Sequence, residues 1–454
     1  MTSCSNLSKS INDAAATPLL GPGHTITHGP GGRILCHAGV WSPDSQWLVY
    51  DTRSDSAGAV FDGNTIAMVN VMTGEVRELY RTENGAHCGV VTFHPHAWKV
   101  AFILGPEQLT LDWQYCAWHR QGVIVEVNQP GTKTNLDARD ITPPFTPGAL
   151  RGGTHVHMWD AAGEWVSFTY EDHVLAQFSS ATPANDINQR NVGVSVPGMP
   201  VRVNHAHPRN HDGECFTVLV TRTTANPRPG SDEINRACEE AWIGTRGYIR
   251  QDGSRQSHAL AFQGQVLSSQ GQPISEVFVV DLPDDLTKPG DGPLCGTAER
   301  APYPPAGAHQ RRLTFTADRR LPGIQGPRHW LRSSPDGSQI AFLMKDDAGV
   351  VQLWTVSPNG GAVKQVTSNR WSVDSAFTWS PDGCGIAHVM DNSVCVTSVA
   401  SGQTKRLTSR TDDALRPCPE ACVFSPDGKR IAFIRRLPSP QQPANQICVI
   451  GVGE

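Results

Sequence analysis

Residues 333–369 read SSPDGSQIAFLMKDDAGVVQLWTVSPNGGAVKQVTSN, residues 379–410 read WSPDGCGIAHVMDNSVCVTSVASGQTKRLTSR, and 424–436 start the unit again as FSPDGKRIAFIRR. The turn prolines Pro335, Pro381 and Pro426 stand about 45 residues apart. Each unit has one physical logic. In Ser-Pro-Asp-Gly, proline presets φ and glycine supplies the positive φ that ends the turn. A β-prone run such as IAFLM follows, then an alternating run such as VQLWTVS, then a glycine turn and a short strand ending KQVTS or KRLTS. Four short strands in about 45 residues make one blade of a β-propeller.

Working outward, the same unit recurs in degraded form. WSPDSQWLVYDTR carries it at Pro43 and FHPHAWKVAFI at Pro95. MWDAAGEWVSFTY carries it at Ala161 and HAHPRNHDGECFTVLV at Pro208. With the three C-terminal units the count is seven, and an all-β, seven-bladed propeller is expected. The last unit ends without its outer strand, which would leave an open sheet edge. Residues 17–27 are therefore expected to supply that strand and close the ring, with 1–16 a flexible tail and 17–454 one domain. Two gaps interrupt the period, one between Tyr115 and Leu150 and a longer one after Pro208. The second is expected as an insertion spanning about 221–310, with SDEINRACEEAWIG (231–244) as a short helix capped by Ser231. Long insertions on a repeat scaffold commonly bind partners, so this one is a candidate protein-docking surface.

Bulk composition agrees with a turn-rich β protein. Of 454 residues, 43 are Gly and 34 Pro, about one in six against a usual ~12%. That density of helix breakers excludes coiled coils and helical solenoids. A net charge of −5 gives no footprint for non-specific nucleic-acid binding. No run approaches the ~18 apolar residues of a membrane helix. The start MTSCSNLSKSINDAAATPLL lacks a secretory signal pattern, so the expected compartment is cytoplasmic, or periplasmic if a signal peptide is missing. The 12 Cys are scattered without a CxxC pair, as reduced core thiols are.

Chemistry is sought where a propeller concentrates it, in the channel lined by the first strand of every blade. Six residues before each turn stand His37, Gly89, His155, Arg202, His329, Ser375 and Glu420. His87, His157, His205, Arg328 and Asp374 lie nearby, and His155 and His157, at i and i+2, share a strand face. Three readings compete. Imidazoles with a carboxylate hold a divalent ion; or histidine acts as general base beside an arginine clamp for a substrate carboxylate, without metal; or these groups only satisfy hydrogen bonds in a wet channel. A GxSxG elbow, a Walker loop and a dinucleotide fingerprint are all absent.

The SPDG…IAF…LW…G…LT unit resembles the TolB-like propellers. GAHCGVVTFHP (85–95), LRGGTHVHMWD (150–160), VSFTYEDHV (166–174), PGSDEINRACEEAWIG (229–244), QRRLTFT (310–316) and PRHWLRSSP (327–335) are similar to the bacterial YidR-like proteins, over nearly the whole chain. More distantly the chain resembles the oligogalacturonate lyases, on the same scaffold. That resemblance implies a manganese site built on channel histidines, with His155 and His157 as the HxH pair and His37 or His329 as further ligands. It also implies Arg202 or Arg328 as carboxylate clamp and a histidine that abstracts the proton α to a uronate carboxylate. The lyases carry a glutamine three residues before the pair, where this chain has Gly152. The expectation is a metal-dependent lyase or isomerase of a sugar acid or oligosaccharide. Its metal (manganese first, zinc or iron otherwise) would sit on His155, His157, His329 and Glu420, with His37, Arg202, His87 and Arg328 as catalytic groups. The alternatives are a TolB-like interaction scaffold or a sugar-binding module without turnover.

Overall fold

The computed structural model describes residues 23–55, 58–178, 187–438 and 443–453. The expected tail, 1–16, lies outside them. Seven four-stranded antiparallel sheets follow one another along the chain, forming a seven-bladed β-propeller. In each, the first strand faces the axis and the fourth the rim. The first blade is Gly32–Ile34, Trp47–Arg53, Thr65–Asn70 and Val76–Arg81. The seventh is Pro417–Phe424, Arg430–Leu437 and Ala444–Gly451, completed at its outer edge by His24–Thr25 from the start of the chain. His24 pairs with Val449 and Thr25 with Cys448, so an N-terminal strand closes the ring. Thr27 adds a side-chain lock, its hydroxyl donating to Gln446 and accepting from the Ile447 N–H.

The apolar core lies between blades. One cluster joins Leu48, Tyr50 and Val69 of the first blade to Val423, Ala432 and Ile447 of the seventh. A tryptophan two residues before the turn ties neighbouring blades. Trp41 Nε1 donates to the Val423 carbonyl, Trp242 to Met158 and Trp379 to Arg332, at 3.0–3.1 Å. These rings are inter-blade packing, as their strand positions suggest.

The fourth blade corrects the repeat count at one place. It is Ala237–Trp242, His258–Leu267, Pro273–Leu282 and His309–Arg312. Pro208 lies instead in the outer hairpin of the third blade, between Asn191–Val201 and Gly213–Leu219. Most of 221–310, expected as an insertion, is thus a blade. Nor is 231–244 a helix. Ser231 and Glu233 close a turn on Arg228, and the next residues enter the innermost strand. The cap-like Ser231 and the acidic Glu233 serve that turn instead, and Glu239 and Glu240 occupy a β-bulge of the strand.

That bulge recurs. Register shifts fall between Gly89 and Thr92, His155 and Met158, and Cys238 and Ala241. The residues inside them have positive φ: Val90 58°, Val156 55° and Glu239 55°. Non-glycine residues rarely adopt this region, and the bulge re-aims the side chains beside it. Strand order places the start of each first strand and the loop between strands two and three on one face. On that face the first three blades carry long loops, 54–64, 105–120 and 173–190, whereas the sixth has only Asp391 and Asn392.

Candidate functional site

On the long-loop face, His155 lies buried near the start of the third blade's inner strand. Arg120, just before Gln121–Glu126 of the second blade, donates from Nη1 to His155 Nδ1 at 2.9 Å. A guanidinium cannot accept, so Nδ1 holds a lone pair and the neutral ring carries its proton on Nε2. That Nε2 has no hydrogen-bond partner among the described residues and points towards Glu171 Oε1, 3.9 Å away. Glu171 is in turn paired with Arg190. Arg328, whose side chain is 66% exposed, lies over the Trp330 ring and pairs with Glu239 at 2.9 Å. Burial pushes the His155 pKa well below the ordinary imidazole value, and the positive charges of Arg120, Arg190 and Arg328 push it further.

Arg120 is held rigidly. Its guanidinium lies over the rings of Phe61 and Tyr115, at 4.8 and 5.2 Å, and its Nε donates to the Tyr115 hydroxyl at 2.8 Å. Phe61 and Tyr115 stack on each other, and Arg53 covers Phe61 as well. No carboxylate pairs with Arg120 among the described residues. A cation fixed by aromatic faces, without its own counterion, is preorganised for an anion from outside.

The expected residues divide. His155 and Arg328 lie at this mouth, and His87 stands beside it, edge-on to Tyr115 with ring centroids 5.5 Å apart. His37 is buried away from Arg120, with Arg332 approaching its Nε2 at 3.4 Å and Trp330 packed edge-on against its ring. Burial, with Arg332 and Arg328, lowers its pKa well below the usual value. Arg202 is not in the channel at all. It lies exposed at the third blade's outer hairpin, beside Asp212 and Glu214. Its place in the ring belongs to Cys238.

The proposed metal ligands do not converge. Because Val156 sits in the bulge, His155 and His157 have separate surroundings. His157 packs against Gly122 of the second blade, with Nε2 on Thr154 Oγ1 at 3.0 Å, and burial lowers its pKa to about 3. His329 has both nitrogens engaged: Nδ1 donates to the Pro327 carbonyl at 2.8 Å and Nε2 accepts from the Leu343 N–H at 3.1 Å. Ser375 does the same work in the sixth blade, its Oγ accepting from Val389 N–H. Glu420 has a buried Oε2 with no hydrogen-bond partner among the described residues and a pKa raised by burial. Among the described residues no three His, Cys, Asp or Glu side chains gather as a metal site. This donor set does not fit the manganese expectation.

Sequence reasoning missed Arg120, Glu171, Arg190 and Glu239. The first gap in the period was the available signal, since Arg120 lies within it. No helix among the described residues is long and apolar enough to cross a membrane.

Known proteins agree with this geometry at the level of family and fold. The family described as a protein of unknown function, DUF3748, matches residues 87–211. The uncharacterized protein YidR of Escherichia coli (strain K12) is 49% identical over 413 residues, covering 90% of this chain and 94% of that protein. The chain belongs to the YidR family. The 87–211 match takes in Arg120, His155, Glu171 and Arg190 of this YidR-family propeller. An oligogalacturonate lyase, solved in complex with manganese, superposes with a TM-score of 0.54 over 94% of this chain and 92% of that one. At 11% identity it shares the fold. An uncharacterized peptidase of Bacillus subtilis (strain 168), YuxL, is 27% identical over 146 residues, 23% of this chain and 21% of that one.

Proposed function

We propose that the channel mouth binds the carboxylate of a sugar acid and removes the proton α to it, as a lyase or an isomerase does. The observation that carries this reading is a buried His155 that accepts from Arg120, a guanidinium with no carboxylate of its own among the described residues. The carboxylate accepts from Arg120 and Arg328. An α proton is weakly acidic, and fixed cations around the incipient enediolate lower its barrier by several kcal/mol. Glu171, held by Arg190, is the carboxylate in reach of that proton, and His155 offers Nε2–H as donor.

Every step uses side chains of the chain itself. A divalent ion, manganese first or else zinc or iron, would require His329 to release the Leu343 N–H and His157 to leave the blade interface.

The test is exchange of the α proton for deuterium, followed by NMR across a panel of uronates, with product analysis. The wild type exchanges one of them, and Glu171→Gln still binds it but exchanges it roughly 100-fold more slowly. A wild-type protein that binds no uronate, or a Glu171→Gln variant with full exchange, overturns the assignment.

A further inference from the structure

The mouth opens into a groove. A cavity of about 270 Å³, lined by Glu239, Gln263 and Arg328, shares Arg236 and Gln265 with a second of about 350 Å³ lined by Glu171 and Arg190. The second shares Gln189 and Ala225 with a third of about 720 Å³ between the third and fourth blades. The third is large enough for a ligand of several rings. Its outer wall includes residues 299–304, anchored from the third blade by fully buried Arg151. That guanidinium is paired with Asp172 and donates to the carbonyls of Thr297 and Arg300.

The chemistry changes along the groove. At the mouth, cations lead. In the outer cavity Arg222, Arg228 and Arg300 are matched by Asp232, Glu233 and Glu299, so no net charge calls for an anion. What remains is a set of hydroxyls and amides (Thr221, Thr223, Asn191, Gln310) beside Tyr303, Pro302 and Ile187. Asn191, Thr221 and Thr223 are already joined by hydrogen bonds of 2.9–3.2 Å, which fixes their orientation. Neutral polar groups beside an aromatic and aliphatic wall suit the alternating hydroxyl and C–H faces of a neutral sugar.

We infer that the natural ligand is an oligosaccharide with a single acidic end: a uronate seated at the mouth and neutral sugar units running outward to the cavity walled by Tyr303. This rests on the sugar-acid reading above and narrows it. A polyuronate would bring a further carboxylate into a cavity whose three arginines are already balanced by Asp232, Glu233 and Glu299, so it gains no net attraction there to repay its desolvation.

Calorimetry with the full chain compares three probes: glucuronate, glucuronate linked to a neutral xylo-oligosaccharide, and trigalacturonate. The mixed oligosaccharide is expected to bind at least about tenfold more tightly than glucuronate, and trigalacturonate no more tightly than the monomer. Ala225 lines both outer cavities, so the larger side chain of Ala225→Leu reduces the mixed oligosaccharide to the affinity of the monomer. Tyr303→Ala, with an unchanged melting temperature, removes part of the same gain. Equal binding of glucuronate and the mixed oligosaccharide overturns the inference while leaving the mouth assignment intact. Tightest binding by trigalacturonate overturns it in favour of a polyanion. Binding of none of the three overturns both.

Discussion

Replacing Arg120 with methionine removes a channel-mouth cation that has no carboxylate partner among the described residues and keeps much of the volume over Phe61 and Tyr115. Two consequences can be sized. A hydrogen bond to a charged partner contributes roughly 1.5–3 kcal/mol, so a uronate loses about 10- to 100-fold in affinity. The second consequence falls on His155. Burial lowers its pKa most, and Arg120 is the first charge to add to that effect; in Arg120→Met the pKa rises but stays below the ordinary imidazole value, because burial remains. The hydrogen-bond direction is checked by ¹⁵N NMR of labelled imidazoles, where wild-type His155 shows its proton on Nε2. Calorimetry with glucuronate measures the clamp. A variant that binds glucuronate within twofold of wild type refutes the clamp, and a wild-type His155 carrying its proton on Nδ1 refutes the geometry behind it.

Other consequences are as direct. Protein purified without a histidine tag is expected to contain less than about one-tenth equivalent of transition metal, and chelation leaves uronate binding unchanged; stoichiometric metal lost in His155→Ala would contradict the donor geometry. Acid weakens the fold through buried histidines. His157 titrates at about 3 and His329 and His388 at about 4, all below the 6.5 of an exposed ring. The unfolded chain therefore binds more protons below pH 6.5, so this stability is complete above that pH and is lost as pH falls towards 3–4. Each histidine removes roughly 2 kcal/mol by pH 5, and a urea midpoint equal at pH 7 and pH 5 would refute the sum. Deleting residues 1–27 removes the outer strand of the seventh blade together with the Thr27 lock. The exposed edge should lower the melting temperature and promote association, read by scattering and chromatography; a monomer of unchanged stability would show that the closing strand is dispensable.

The ring was legible because its turns are chemically explicit: wherever Ser-Pro-Asp-Gly or a close variant stands, a blade begins. The fourth blade hid for the converse reason. Its first connection carries an extra hairpin, Tyr248–Ile249 with Arg255–Gln256, and no proline, while the outer hairpin of the third blade contains Pro208 in a repeat-like setting. The surviving signal was Trp242, which donates to the preceding blade as Trp41 and Trp379 do. One misplaced turn then assigned Arg202 to the channel in place of Cys238. The site was legible only in part. His155 and Arg328 follow from the repeat, but Arg120 and Arg190 come from the ends of long loops, whose reach no period encodes. His157 was misjudged because strand alternation does not survive a bulge, and nothing in THVHM announces that Val156 takes a positive φ.

The same comparison explains why the chemistry is off-centre in a ring of near-equivalent blades. The position six residues before the turn is a channel position in every blade, yet in the fifth and sixth its side chain accepts a backbone N–H fourteen residues further on, through His329 Nε2 and Ser375 Oγ. Those groups are committed to the backbone, and releasing one strands a buried amide at a cost of roughly 1–3 kcal/mol. In the third blade His155 serves Arg120 instead, because a long loop of the second blade delivers a guanidinium to it. Function in this propeller therefore requires two things at one place: a channel side chain not consumed by the repeat, and loops long enough to bring charge to it. The second and third blades supply both, and the fourth extends the site with Glu239 and the groove beyond it. Glu420→Gln in the seventh blade should leave uronate binding intact, whereas shortening 105–120 by a few residues should abolish it with the ring still folded.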